Sequence, residues 1–126
     1  MSERPLDHLS VEDLLEIAVG ILDEVIVRDH GLLASAAARP QGSACGEDAY
    51  PTFATKAAAL MHSLARNHAL VDGNKRLAWA ATRVFCLLND HDVKFSVDDA
   101  ERLVIAAARG ELDAPEIAAT IRSHLQ

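Results

Sequence analysis

In His68-Ala69-Leu70-Val71-Asp72-Gly73-Asn74-Lys75-Arg76, the residues from His68 to Gly73 read as a short non-helical link between two long apolar helices, the second of which starts near Asn74. Upstream of it, Phe53, Ala57, Leu60, Met61 and Leu64 recur at the spacing of one helix face, from about Thr52 to Asn67. Downstream, Leu77, Ala78, Ala81, Val84, Phe85 and Leu88 repeat that spacing from about Asn74 to Leu88. Core packing is therefore expected to hold both ends of the link, and a chemical site needs that support.

The link also collects groups that suit one kind of ligand. Gly73 allows a sharp turn and a close approach to the backbone. The helix starting at Asn74 offers free N–H groups and the positive end of its dipole, which together bind anions. Lys75 and Arg76 stand at that same end, where the dipole should repel them. A chain of net charge −7 that spends cations there is expected to hold an anion. Asp72 could hold Mg²⁺, which commonly takes one or two carboxylates plus phosphate oxygens. His68 could accept a proton from an attacking hydroxyl. Taken singly, these residues have plainer readings: a turn, a helix-ending polar residue and a solvated first helical turn. Their convergence in one supported link argues for a site.

Working outward, Ser10 with Asp13 resembles a capping box. Apolar residues follow at Val11, Leu14, Leu15, Ala18, Ile21, Leu22, Val25 and Ile26, and Gly31 is the expected stop. Leu32 to Arg39 reads as a short helix ending before Pro40. Gln41 to Pro51 reads as a loop long enough to be a flap. Asn89-Asp90 ends the second central helix. Ser96 with Asp99 opens another helix, which stops at Gly110, and Asp113, Pro115 and Glu116 open the last. The expected fold is all-α: a compact bundle of about six helices forming a single domain over residues 1–126. Its β structure is limited to a minimal hairpin flap or a brief pairing of Lys94-Phe95 with the Gln41–Pro51 loop.

Composition sets bounds on function. Half of the 126 residues are hydrophobic and only 4% aromatic, enough for a helical core without metal or disulfide. The acidic balance argues against direct DNA binding, which draws on phosphate neutralisation. No apolar run is long enough for a bilayer, and Met1–Ser10 lacks the apolar region of a signal peptide. Cys45 and Cys86 form no CxxC pair and are expected to be free thiols in a reducing compartment. A cytoplasmic location is expected.

The motif HALVDGNKR resembles the active-site motif of the Fic/Doc superfamily, HxFx(D/N)(G/A)N(G/K)R. Lys75 replaces the second glycine of the adenylylating Fic enzymes, and Trp79 occupies the place of their second arginine. Both departures resemble the Doc (death-on-curing) branch. Arg28 to Leu33 with Ser35-Ala36 and Arg39-Pro40 resembles the family's RDxGLLxSA…RP segment. Lys56 to Leu60, Phe85 to Asn89 and Ala106 to Glu111 resemble further family segments, so the resemblance covers nearly the whole chain.

The resemblance implies a toxin of a toxin–antitoxin system, an ATP-dependent kinase. It would phosphorylate a threonine hydroxyl of elongation factor Tu and arrest translation. It implies His68 as general base, Asp72 as the Mg²⁺ ligand, and Arg66, Gly73, Asn74, Lys75 and Arg76 as the ATP-binding residues. The flap would dock the substrate segment. An antitoxin of the Phd type would seat a helix in a groove, since no self-inhibitory (S/T)xxxE(G/N) helix is found in the chain. Alternatives stay open: a Fic-type adenylyltransferase, or a degenerate non-catalytic Doc-fold binding module. The second is motivated by Ala69 and Leu70, where the commonest family form has Pro and Phe. A metal-dependent hydrolase using His62, His68 and Asp72 has no recognised ligand spacing behind it.

Overall fold

The computed structural model describes residues 5–125, so the first four residues of the Met1–Ser10 stretch lie outside it. Six α-helices carry the fold: α1 (Val11–Ile21), α2 (His30–Ala38), α3 (Phe53–Arg66), α4 (Asn74–Leu88), α5 (Val97–Ala108) and α6 (Ala114–His124). A 3₁₀ turn at Arg39–Gln41 follows α2, and two-residue strands β1 (Ser43–Ala44) and β2 (Glu47–Asp48) form the flap. Among the described residues no helix is long and apolar enough to cross a membrane.

Helix α3 is the central post and packs against α2, α4, α5 and α6. Ala57, Ala58 and Ala59 are three successive, fully buried residues, so neighbours surround the helix on all sides. Their small side chains let those neighbours come close. Leu60, Met61 and Leu64 fill the spaces between, and each such burial contributes roughly 1.5–3 kcal/mol. From α4, Phe85 is buried against Phe53, with ring centroids 5.1 Å apart. Asn89 closes α4 from a buried position: its Nδ2 donates to Phe85 O at 2.8 Å and Asp7 O at 2.9 Å.

Most helix starts follow the sequence signals; Asp29, which the spacing places in the fading end of the first helix, instead opens α2. Ser10, Asp29, Thr52, Ser96 and Asp113 each accept a backbone N–H from the first turn that follows. Three expectations fail. The first helix stops at Ile21, not near Gly31, and Leu22 is already extended at φ −114°, ψ 145°. Val25, Ile26 and Val27 are β-branched and favour extended backbone, which overrides the accidental helical spacing. Gly31 therefore lies inside the first turn of α2. Leu88 is 44% exposed rather than inward-facing. Lys94-Phe95 does not pair with the flap loop. Val93 bridges Leu125, Lys94 N donates to His124 O at 3.0 Å, and Phe95 stacks on His124 at 3.8 Å.

Both cysteines are free, Cys45 exposed at the flap tip and Cys86 buried in the core. Burial pushes the Cys86 thiol up to about 12, so its reactive thiolate is absent at neutral pH. A thiol-specific reagent is expected to label one thiol per folded chain quickly, and the second only in denaturant. The Cys45→Ser variant should show no fast phase, and equal rates for both thiols would contradict this packing.

Candidate functional site

The link between α3 and α4 is built by partners distant in sequence. The chain from Leu22 to Asp29 runs extended alongside it. Val27 forms an antiparallel bridge with Leu70. Arg28 N and Asp29 N both donate to Ala69 O, at 2.8 and 3.1 Å, and Val71 N donates to Ile26 O at 2.9 Å. Ala69 and Leu70 are buried beneath the link at 2% and 1% exposure, so the smaller anchor still seats fully. The Asn74 amide then closes the loop: Leu70 N donates to its Oδ1 at 3.0 Å, and its Nδ2 donates to Leu70 O at 2.9 Å. Asn74 thus braces the loop as well as lining the site.

Gly73 is required on two counts. Its φ of 90° is left-handed, and a Cβ would strike the Leu22 side chain at 2.7 Å. As the N-cap of α4 it offers no side chain, so α4 lacks the side-chain cap found on the other five α-helices. The backbone N–H groups of its first turn are left for another acceptor.

That helix start opens on a cavity of about 240 Å³ lined by His68, Asp72, Gly73, Asn74, Lys75 and Arg76, with Ala65, Val71 and Ala108 as its apolar lining. The expected loop residues are therefore brought together. Arg66 is not among the residues that line the cavity. Its guanidinium lies against Gly110, where φ is 77° and any side chain would collide with it. Among the described residues, no carboxylate forms an ion pair with Arg66, Lys75 or Arg76. Asp72 Oδ1 accepts Gly73 N at 2.8 Å. Asp72 and Arg76 also face a second recess, shared with Asp23 and Glu24.

No group of three or more His, Cys, Asp or Glu among the described residues could hold a metal by itself. His62 does not join His68 and Asp72; its Nδ1 accepts from Arg39 Nη1 at 2.7 Å. The arrangement suits Mg²⁺ only where bound phosphates supply most of the oxygens and Asp72 the carboxylate. The volume is below the 300–1,000 Å³ of ordinary small-molecule sites and matches a phosphate chain better than a whole nucleotide.

The flap stands on two cations that sequence reasoning left unassigned. Cys45 and Gly46, at φ 54° and 80°, form the two-residue hairpin turn that joins β1 to β2 in the register Ser43–Asp48, Ala44–Glu47. Lys56, buried on α3, donates to Pro40 O at 3.0 Å and to Asp48 at 2.8 Å. That hydrogen bond, helped by the one from Tyr50 N, holds the Asp48 carboxyl below the usual carboxylate range. Arg39 donates to Tyr50 Oη at 2.7 Å and Ser63 Oγ at 3.0 Å, besides His62. Paired Cys-Gly turn residues and the lysine inside an alanine-rich helix were the available signals.

Comparison with known proteins follows the same lines. Residues 8–86 match the model of the Fic/DOC family. The chain is 50% identical over 120 residues to a Mycolicibacterium smegmatis protein named Toxin Doc, a match covering 91% of each chain.

The flap anchor carries a pH signature. Burial holds the His62 pKa below 6.5, and the nearby Arg39 and Arg66 lower it further. The unfolded chain thus takes up the proton first as pH falls. The His62 contribution is constant above pH 6.5 and is lost as pH drops through the lower folded value. The parent protein should lose more Tm between pH 7 and pH 5 than His62→Gln, whose amide oxygen can accept from Arg39 without titrating. Identical losses would contradict the assignment.

Proposed function

This chain belongs to the Fic/DOC family, and we propose that it is the toxin of a toxin–antitoxin pair, a kinase that phosphorylates a threonine hydroxyl of elongation factor Tu with ATP and Mg²⁺. One observation carries the reading. Lys75 and Arg76, without carboxylate partners among the described residues, stand at a helix start with no side-chain cap and line the same cavity as His68 and Asp72. Phosphoryl transfer asks mainly for positioning and charge neutralisation, and this cavity supplies both.

In the proposed reaction the threonine oxygen forms a bond to the γ-phosphorus. The bond from that phosphorus to the β–γ bridging oxygen breaks, ADP leaves, and His68 takes the hydroxyl proton. Lys75, Arg76 and the backbone from Gly73 hold the phosphates, with Asn74 keeping the turn in shape and Arg66 approaching from the side. Mg²⁺ bound to Asp72 and phosphate oxygens would neutralise charge on the transferred group. Residue 79 favours phosphoryl over adenylyl transfer. Trp79 lends a ring to an apolar groove, where the Fic pattern has a second arginine.

That groove, about 540 Å³, lies between the end of α1, α4 and α5. Ile21, Trp79, Ala80, Val97, Ala100 and Val104 line it, and Lys75 and Arg76 belong to its edge as well as to the cavity. An antitoxin helix of the Phd type would seat its apolar face there and cover the same cations. The toxin name of the Mycolicibacterium smegmatis relative supports this partner class.

Incubation with elongation factor Tu should transfer label from the γ-phosphate of ATP, and label from the α-phosphate should stay behind. Transfer of α-label would favour the adenylyltransferase, and transfer of neither would favour a non-catalytic module. His68→Ala should lower transfer about 10²–10⁴-fold, the usual contribution of a general base. In cells, Val97→Glu, at a site 82% exposed on the groove, should leave growth arrest intact and abolish rescue by the antitoxin. Full rescue would place the antitoxin elsewhere.

A further inference from the structure

His68 has the most unusual backbone in the loop. Its φ is 52°, in the left-handed region that a non-glycine residue seldom adopts. It directly follows Asn67, the C-cap of α3, where helix carbonyls run out of intrahelical partners. One side chain claims the C-cap carbonyl and the carbonyl that follows it. Arg28 Nε donates to His68 O at 2.8 Å, and Arg28 Nη2 donates to Asn67 O at 3.3 Å. Arg28 also gives its backbone N–H to Ala69 O at 2.8 Å. One residue, 40 positions upstream, therefore holds three successive carbonyls.

The geometry has a specific consequence. The Asn67 carbonyl belongs to the peptide plane before the His68 Cα, and the His68 carbonyl to the plane after it. Fixing both planes fixes φ and ψ of His68, and with them the direction of its Cα–Cβ bond. A guanidinium suits this task because its N–H donors sit in one rigid plane. Its charge is also favoured at the C-terminus of α3. An ammonium offers a point charge and holds the two planes less firmly.

We propose that Arg28 is a positioning residue for His68, locking the left-handed backbone that aims the imidazole into the cavity. The inference rests on the reading of His68 as general base. Arg28 itself touches no reacting atom; it acts through the two peptide planes.

The test pairs kinetics with backbone NMR. Arg28→Met keeps the aliphatic stem and removes the fork, and Arg28→Lys keeps the charge alone. With elongation factor Tu and ATP, Arg28→Met should lower kcat about 10–100-fold, the scale of loss expected from a small misplacement. KM for ATP should stay within about twofold and Arg28→Lys should fall between. In a His68→Ala background Arg28→Met should cost nothing further, since no imidazole is left to aim. The Cα and Cβ shifts of His68, which report φ without reference to activity, should leave the left-handed range in Arg28→Met. An unchanged kcat, an equal loss in the His68→Ala background, or parent-like His68 shifts would each overturn the proposal. If His68→Ala keeps parent activity, the general-base reading fails instead, and the shifts still decide whether Arg28 sets the backbone. Should Arg28→Met fold poorly by Tm, Arg28→Lys carries the same comparison.

Discussion

The extended segment from Leu22 to Asp29, laid against the link between α3 and α4, is the constraint on which the rest of the site depends. It contributes a side chain under Gly73, a bridge at Leu70 and hydrogen bonds to three successive carbonyls. A seven-residue link, Asn67 to Gly73, with an unusual backbone at His68 and Gly73 would not hold one shape unaided. Left-handed backbone at a non-glycine residue costs roughly 1–2 kcal/mol. The segment and the Asn74 amide offset that cost by satisfying backbone groups that would otherwise be unpaired. Rigidity at the chemical groups thus comes from packing elsewhere: the alanine-lined post of α3 on one side and α4 on the other.

A second balance is electrostatic. The protein caps five α-helices with Ser, Thr or Asp and leaves the sixth start to a glycine followed by Asn-Lys-Arg. Positive charge there opposes the helix dipole by about 0.3–1 kcal/mol per group. The loss is recovered when a polyanion arrives, since uncapped N–H groups, dipole and cations then act in the same direction. The apolar groove beside it shares Lys75 and Arg76, so an occupant of either space alters the charge seen by the other.

Much of the fold was legible. Caps at Ser10, Ser96 and Asp113 and the apolar faces of α3 and α4 located most helices, because those signals act within a few residues. The Val25-Ile26-Val27 run was misread because its spacing continues a helical stripe by coincidence. Its β-branched composition and the pairing of Val27 with Leu70 decide otherwise, and the pairing is invisible in the local sequence. That His68 and Asp72 to Arg76 share one cavity was legible because they lie in one contiguous stretch. The residues that shape the loop, Arg28 and Leu22, and those that hold the flap, Arg39 and Lys56, act across the fold, and nothing local marks Leu22 as the reason Gly73 cannot carry a side chain.

The central claim is that the start of α4 and its cations receive a phosphate chain. Amide spectra of the ¹⁵N-labelled protein, recorded while MgATP is added, test it most directly. The account predicts saturable shifts at Asp72, Gly73, Asn74, Lys75 and Arg76, strongest at Gly73 and the first turn of α4. Shifts confined to the groove between α1, α4 and α5, or none at saturating MgATP, would contradict it.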